Sequence, residues 1–172
     1  NLYLSKFSHL MRKVLDVSGK DDISIAEEVE ILELYLALEQ LRFGEEFSFE
    51  IKCDDGIDVH NEYIPPLLLQ PFVENALKHG LLHKKGKKRI LVSFELMDKK
   101  IICRIVDNGV GRKRSTEIRQ RQREVHSSFS TQATQRRLDL LNRTRDHHIE
   151  LSIVDLMAND EAVGTEVVLT IS

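Results

Sequence analysis

The chain has 172 residues, 41% of them hydrophobic and 31% charged, which allows one ordinary domain or a domain with a short appendage. Its net charge of −3 gives no electrostatic case for nucleic acid or for contact with an acidic membrane surface, and no apolar run approaches the ~20 residues of a membrane span. It begins at Asn1 with no signal-peptide pattern, and it reads as a piece of something longer.

Residues 2–17 carry apolar side chains at helical spacing (Leu4, Phe7, Leu10 or Met11, Val14), and SGKDD breaks the pattern. Ser24 with Glu27 three positions later predicts a capping box, followed by a helix whose stripe is Ile25, Val29, Leu32, Leu36 and Phe43, widened by Leu34, Leu38 and Leu41. Gly44 is its natural stop. These two helices form an expected hairpin that needs a partner surface, either the rest of the chain or a second copy. FSFEIKC from residue 47 alternates like a strand. IPPLLLQPFVENALKHG predicts one helix or two short pieces divided at Pro71 and ended by Gly80. RILVSFEL and KIICRIVD predict strands joined by a tight MDKK turn, closing in VDNGVG. Residues 112–130 are charged, polar and without period, and predict a long loop. TQATQRRLDLLNRTRD returns to helical spacing through Ala133, Leu138 and Leu141. ELSIVDL and TEVVLTIS predict two last strands separated by MANDEAVG. The expected class is α+β: helices on one face of a mixed, largely antiparallel sheet. Cys53 and Cys103 sit in strand-like sequence without metal-ligand spacing, and read as buried free thiols.

Neither GxxxxGKS/T nor GxGxxG occurs, which excludes the two commonest phosphate-binding loops. A different nucleotide pocket needs three separated pieces. These are a helix face with Asn and Lys for metal and phosphate, an Asp at a strand end able to accept from an adenine amino group, and glycines where backbone approaches the ligand. ENALKHG (74–80), DNGVG (107–111) and Gly164-Thr165 are such pieces, in suitable order.

Together these segments resemble the N, G1 and G3 boxes of the GHKL ATPases. YLALEQLRFGEEFSFEI followed by IPPLLLQPFVENALKHG resembles more narrowly the LytS/YehU-type sensor histidine kinases of two-component systems, over nearly the whole chain. The resemblance implies a Bergerat-type α/β sandwich at residues 46–172, with residues 1–45 as the rear part of the dimerisation and phosphotransfer helices. It implies ATP and Mg²⁺ as cofactors. Asn75 matches the magnesium ligand, and an amide oxygen suits that hard cation. Lys78 matches the residue that neutralises phosphate, with His79 lining the same pocket; on a helix, residues three and four after Asn75 share its face. Asp107 matches the aspartate that fixes adenine, Gly109 and Gly111 the hinge before the ATP lid, residues 112–130 the lid, and Gly164 and Thr165 the closing turn. The lid is then expected to be the most mobile internal segment without nucleotide.

The reaction implied is autophosphorylation on a histidine, then transfer to a response regulator receiver domain. The parent protein would be a homodimer joined through the helical hairpin and anchored in a bacterial cytoplasmic membrane, with this part on the cytoplasmic side. The family's acceptor histidine lies in an HFLFN-like segment, expected upstream of Asn1; His9 is out of register with it. The lid also departs from many relatives, with no glycine in HSSFSTQATQRRL. Two alternatives stand beside the kinase reading: a degenerate nucleotide-binding and dimerisation module, and another GHKL ATPase such as an anti-sigma-factor serine kinase. The bland readings of the remaining features are preferred. His79 and His83 lack a third zinc ligand, His147 and His148 suit a helix end, and Arg112 to Arg114 read as a solvated face.

Overall fold

The computed structural model of the chain describes residues 1–122 and 127–172. Helix α1 (Leu2–Ser18) starts on Asn1, whose side chain accepts the Tyr3 N–H at 3.1 Å. Helix α2 (Ile25–Phe43) starts on the expected capping box. The Ser24 hydroxyl accepts the Glu27 N–H at 3.2 Å, and the Glu27 carboxylate accepts the Ser24 N–H at 2.9 Å. Two orphan donors of the first turn are thereby satisfied. Gly44, at φ +78°, ends the helix and leads into a 3₁₀ turn at Gly44–Glu46.

The wide stripe of α2 is two seams. Ile31, Leu34 and Leu38 pack with Leu10, Val14 and Val17 of α1. Ile25, Leu32 and Leu36 join the main core with residues of the sheet. The hairpin is also stitched to the rest of the chain by a two-residue strand β1 (Ile23–Ser24), paired with β3 (Tyr63–Ile64).

The main sheet contains β2 (Phe47–Cys53), β4 (Lys88–Met97), β5 (Lys100–Asp107), β6 (Ile149–Ala158) and β7 (Glu161–Ile171), in the order β2-β4-β5-β7-β6. The β2–β4 pair is parallel and the other three are antiparallel. Ile90, Val92 and Phe94 of β4, and Ile101, Cys103 and Ile105 of β5, face the core. The alternate positions face solvent, where Arg104 bridges Glu95 and Glu166 at 3.7 Å each. The β4–β5 turn is built on Asp98 and Lys99, both at positive φ.

The structure departs from the sequence expectations at four places. Helix α3 (Gln70–Asn75) begins after the paired prolines, and Pro71 lies in its first turn, where a missing N–H costs nothing. It runs into a π turn, Ala76–Leu81, that passes through Gly80 instead of stopping there. Residues 112–122 form helix α4 (Arg112–Gln122), and α5 (Ser127–Thr144) begins before the expected helix start. RKRSTEIRQRQ has no apolar period, but it is rich in Arg, Lys, Glu and Gln, which are good helix formers. The rest of the expected mobile loop, residues 123–126, lies outside the described residues. Strands β6 and β7 run through most of MANDEAVG and turn at Asn159 and Asp160, both at positive φ. Finally, Cys103 is buried as expected, but Cys53 is exposed at the end of an edge strand.

Candidate functional site

Asp107 is the last residue of β5. Period-two alternation puts its carboxyl on the same face as Ile101, Cys103 and Ile105, at the rim of the core, where it is 4% exposed. It accepts the Gly109 N–H at 2.8 Å and also the backbone N–H of Thr165, the residue opposite it on β7. Burial pushes its pKa up to about 6; those two N–H groups and the charge of Lys84 oppose the rise, and the nearby Asp155 adds to it. The result is a desolvated carboxylate with acceptor capacity left over at neutral pH.

The backbone around Asp107 is packed too tightly for side chains. A Cβ on Gly109 would lie 2.5 Å from the carbonyl carbon and Cα of Gly80. On Gly164 it would run into the Asp107 carbonyl oxygen. The Val110 N–H donates to the Gly80 carbonyl at 3.2 Å, so the π turn rests directly on the loop after β5. Asn108 pins that loop from the other side, accepting the Arg89 N–H at 2.7 Å and donating to the Lys87 carbonyl at 3.1 Å.

The π turn decides which polar residues face inward. Its Leu82 N–H reaches the Leu77 carbonyl at 2.9 Å, a bond spanning five residues. In such a wide turn positions four and five residues apart share a face, and position three falls outside it. Asn75, Ala76, His79 and Gly80 accordingly line a cavity of about 320 Å³, within the range of ligand pockets. Lys78 is exposed and does not line it.

The cavity's other walls come from the sheet and from α4 and α5. Thr165, Leu151, Ile153 and Val167 supply the sheet side, and Gly111, Arg112, Ser115, Thr116, Thr134 and Gln135 the helical side. Of the residues the sequence singled out, Asn75, His79, Asp107, Gly111 and Thr165 meet at this cavity. Gly109 and Gly164 support it from behind. Ser115 and Thr116 were missed because they sit in the segment without apolar period, and Thr134 and Gln135 because nothing local marks them as the inward side of their helix. Arg112 is not merely solvated: its backbone N–H and Nε both donate to the Asp155 carboxylate, at 3.2 and 3.1 Å, fastening the start of α4 to β6.

The entry into α3 is held by a carboxylate that the sequence reading passed over. Glu28, fully buried on α2, accepts the N–H groups of Leu69 at 3.0 Å and Leu67 at 2.9 Å. Burial pushes its pKa up to about 7, against those two bonds and the charge of Arg137. Arg137 of α5 grips the same turn through the carbonyls of Leu67, at 2.6 Å, and Pro66. One side chain from each flanking helix, Glu28 and Arg137, therefore fixes the turn that aims Asn75 and His79.

No group of three or more His, Cys, Asp or Glu among the described residues could hold a metal ion. Asn75 can contribute a single amide oxygen, so a divalent cation here would arrive with most of its ligands supplied by a bound molecule.

Residues 1–47 match the family model described as histidine kinase. Over 109 residues the chain is 33% identical to the sensor protein LytS of Oceanobacillus iheyensis, covering 63% of this chain and 18% of that protein. Over 168 residues it is 28% identical to LytS of Staphylococcus saprophyticus, covering 98% of this chain and 27% of that protein. The chain thus spans less than a third of the length of these relatives. Among solved structures, the histidine kinase domain of the blue-light activated histidine kinase of Erythrobacter litoralis superposes with a TM-score of 0.62 at 14% identity, covering 98% of this chain and 78% of that one. The catalytic domain of histidine kinase ThkA gives 0.57 at 11% identity, covering 87% and 92%. The fold is that of a histidine kinase catalytic domain, and the sequence is similar to a segment of the LytS-type sensor histidine kinases.

Proposed function

We propose that the chain is the ATP-binding catalytic part of a two-component sensor kinase, residues 46–172, preceded by part of its dimerisation hairpin, residues 1–45. The observation that carries this reading is the buried Asp107 carboxylate, walled by glycine backbone and opening on a cavity shared with Asn75, His79 and Thr165. A carboxylate in that setting accepts a hydrogen bond from a planar amino group such as that of adenine, while the apolar sheet side covers the ring.

Asn75 would contribute one ligand to Mg²⁺ carried in with the triphosphate; the ion would neutralise charge on the transferred phosphoryl group. Lys78, exposed beside His79, is left for phosphates that extend beyond the cavity. Gly111 would act as the hinge from which α4 moves as the lid. The phosphoryl acceptor would be a histidine outside these 172 residues, and the final acceptor an aspartate of a receiver domain. The exposed stripe of α1 (Leu4, Phe7, Met11, Leu15) supports dimerisation through the hairpin. The parent protein would be membrane-anchored, with this part on the cytoplasmic side.

Titration calorimetry with a non-hydrolysable ATP analogue tests the reading. Magnesium-dependent binding is expected; no binding at millimolar nucleotide by folded protein would refute it.

A further inference from the structure

Ser115 stands in the first turn of α4 and is 2% exposed. A helical serine usually turns its hydroxyl to solvent or back onto a carbonyl one turn earlier. Its neighbour does the latter: the Thr116 hydroxyl donates to the Arg112 carbonyl at 2.9 Å. The backbone N–H of Ser115 closes the helix onto the Gly111 carbonyl at 3.1 Å, but its Oγ has no hydrogen-bond partner among the described residues. This buried hydroxyl lines the same cavity as Asn75, Asp107 and Thr165.

An orphaned buried hydroxyl destabilises the fold by its lost hydration, and alanine, a better helix former, would remove that cost. A hydroxyl kept at such a place is explained by a partner that arrives from outside. The partner's polarity follows from the surroundings. Phe72, Leu151, Ile153 and Val167 make the adjoining walls apolar, and the Asp107 carboxylate repels anions. Arg112 also lines the cavity, but its guanidinium is already paired with Asp155, so a phosphate beside Ser115 would be desolvated with little compensation, whereas the uncharged half of a nucleotide would not.

We propose that Ser115 is a ligand-recognition residue whose hydroxyl donates to an acceptor atom of the nucleoside half of a bound adenine nucleotide, a base-ring nitrogen or a sugar oxygen. With Asp107 accepting from the base, it forms a second polar anchor and places a specificity determinant on the first turn of α4. The inference rests on the nucleotide reading above and goes beyond it in assigning this residue.

The test compares the parent with Ser115→Ala, using calorimetry against ATP analogue, adenosine, and adenosine analogues each lacking one acceptor (1-deaza, 3-deaza, 7-deaza, 2′-deoxy, 3′-deoxy). Thermal unfolding without ligand is measured alongside. Ser115→Ala is expected to bind ATP analogue and adenosine about three- to tenfold more weakly, the scale of one neutral hydrogen bond. One analogue of the panel should bind parent and variant equally, because it lacks the contacted atom. The unliganded variant should unfold at the same or a higher temperature. Unchanged affinity overturns the proposal. So does a loss seen with ATP analogue but not adenosine, which would mean a phosphate contact. A lowered unfolding temperature with equal losses across the panel would mean a structural role, and also overturns it. If the parent itself binds no adenine nucleotide, the nucleotide reading falls first; if the parent binds and the variant binds equally, only the assignment of Ser115 falls.

Discussion

Replacing Asp107 by Asn should make the protein more stable and the ligand weaker, and pH should separate the two effects. In the folded chain, burial raises the Asp107 pKa from 3.8 to about 6. Below pH 3.8 the group is protonated whether the chain is folded or not, and it adds no pH dependence. Between 3.8 and about 6 the unfolded chain ionises while the folded one keeps its proton, so stability falls as pH rises. Above about 6 the loss is complete, and at about 1.4 kcal/mol per pH unit it amounts to about 3 kcal/mol. Asparagine does not ionise. Its side-chain oxygen can keep the Gly109 N–H, but its amide group cannot also accept from Thr165, which returns about 1 kcal/mol of the gain. Urea unfolding at pH 8 should therefore show Asp107→Asn about 1–2 kcal/mol more stable than the parent, with the advantage gone by pH 4. Affinity for ATP analogue at pH 8 should fall by about 1–3 kcal/mol, because the amide presents a donor where the base amino group also donates. Parent affinity should itself weaken as pH drops below about 6, since the carboxylate must lose its proton to accept. A stability difference independent of pH would refute the burial argument, and unchanged affinity at pH 8 would refute the adenine assignment.

Glu28→Gln should flatten the decline in stability between pH 4.5 and about 7, since the parent's buried carboxyl holds its proton over that window and loses about 3 kcal/mol by its end; parallel pH profiles of the two proteins would contradict this. Gly109→Ala should cost about 1–3 kcal/mol in urea unfolding, because its Cβ has no room against Gly80; a neutral substitution would show that the π turn can shift away. Arg137→Ala should raise amide exchange selectively at residues 67–77 by releasing the Pro66 and Leu67 carbonyls, and exchange left unchanged there would show that Glu28 alone holds the turn. Incubation with γ-labelled ATP should leave the chain unlabelled on histidine, because its acceptor is expected outside these residues; acid-labile label lost on His9→Gln would overturn that.

Much of this protein is legible residue by residue because the relevant physics is local. The Ser24–Glu27 box starts α2 whatever lies beyond it. Alternation over 100–107 puts Asp107 on the inner face, and the glycines of DNGVG and GT mark where backbone must touch backbone. The fold class follows from those periods. Other features depended on long-range contacts that carry no local signature. RKRSTEIRQRQ is helical without an apolar stripe; its start is fastened to β6 through Arg112 and Asp155, and the cavity wall it supplies, including Ser115, was invisible for that reason. The π turn cannot be read from ALKHGL. Packing of Gly80 on Gly109 coincides with it, and the wider turn trades Lys78 for Gly80 on the inner face. Glu28 looks like any helix glutamate, yet the folded chain buries it against two backbone donors some forty residues away. Sequence alone determined which residues could make a site, because spacing and residue type act within a few neighbours. Tertiary structure decided which of them face it, because only packing sets the turn of a helix and the partner of a buried charge.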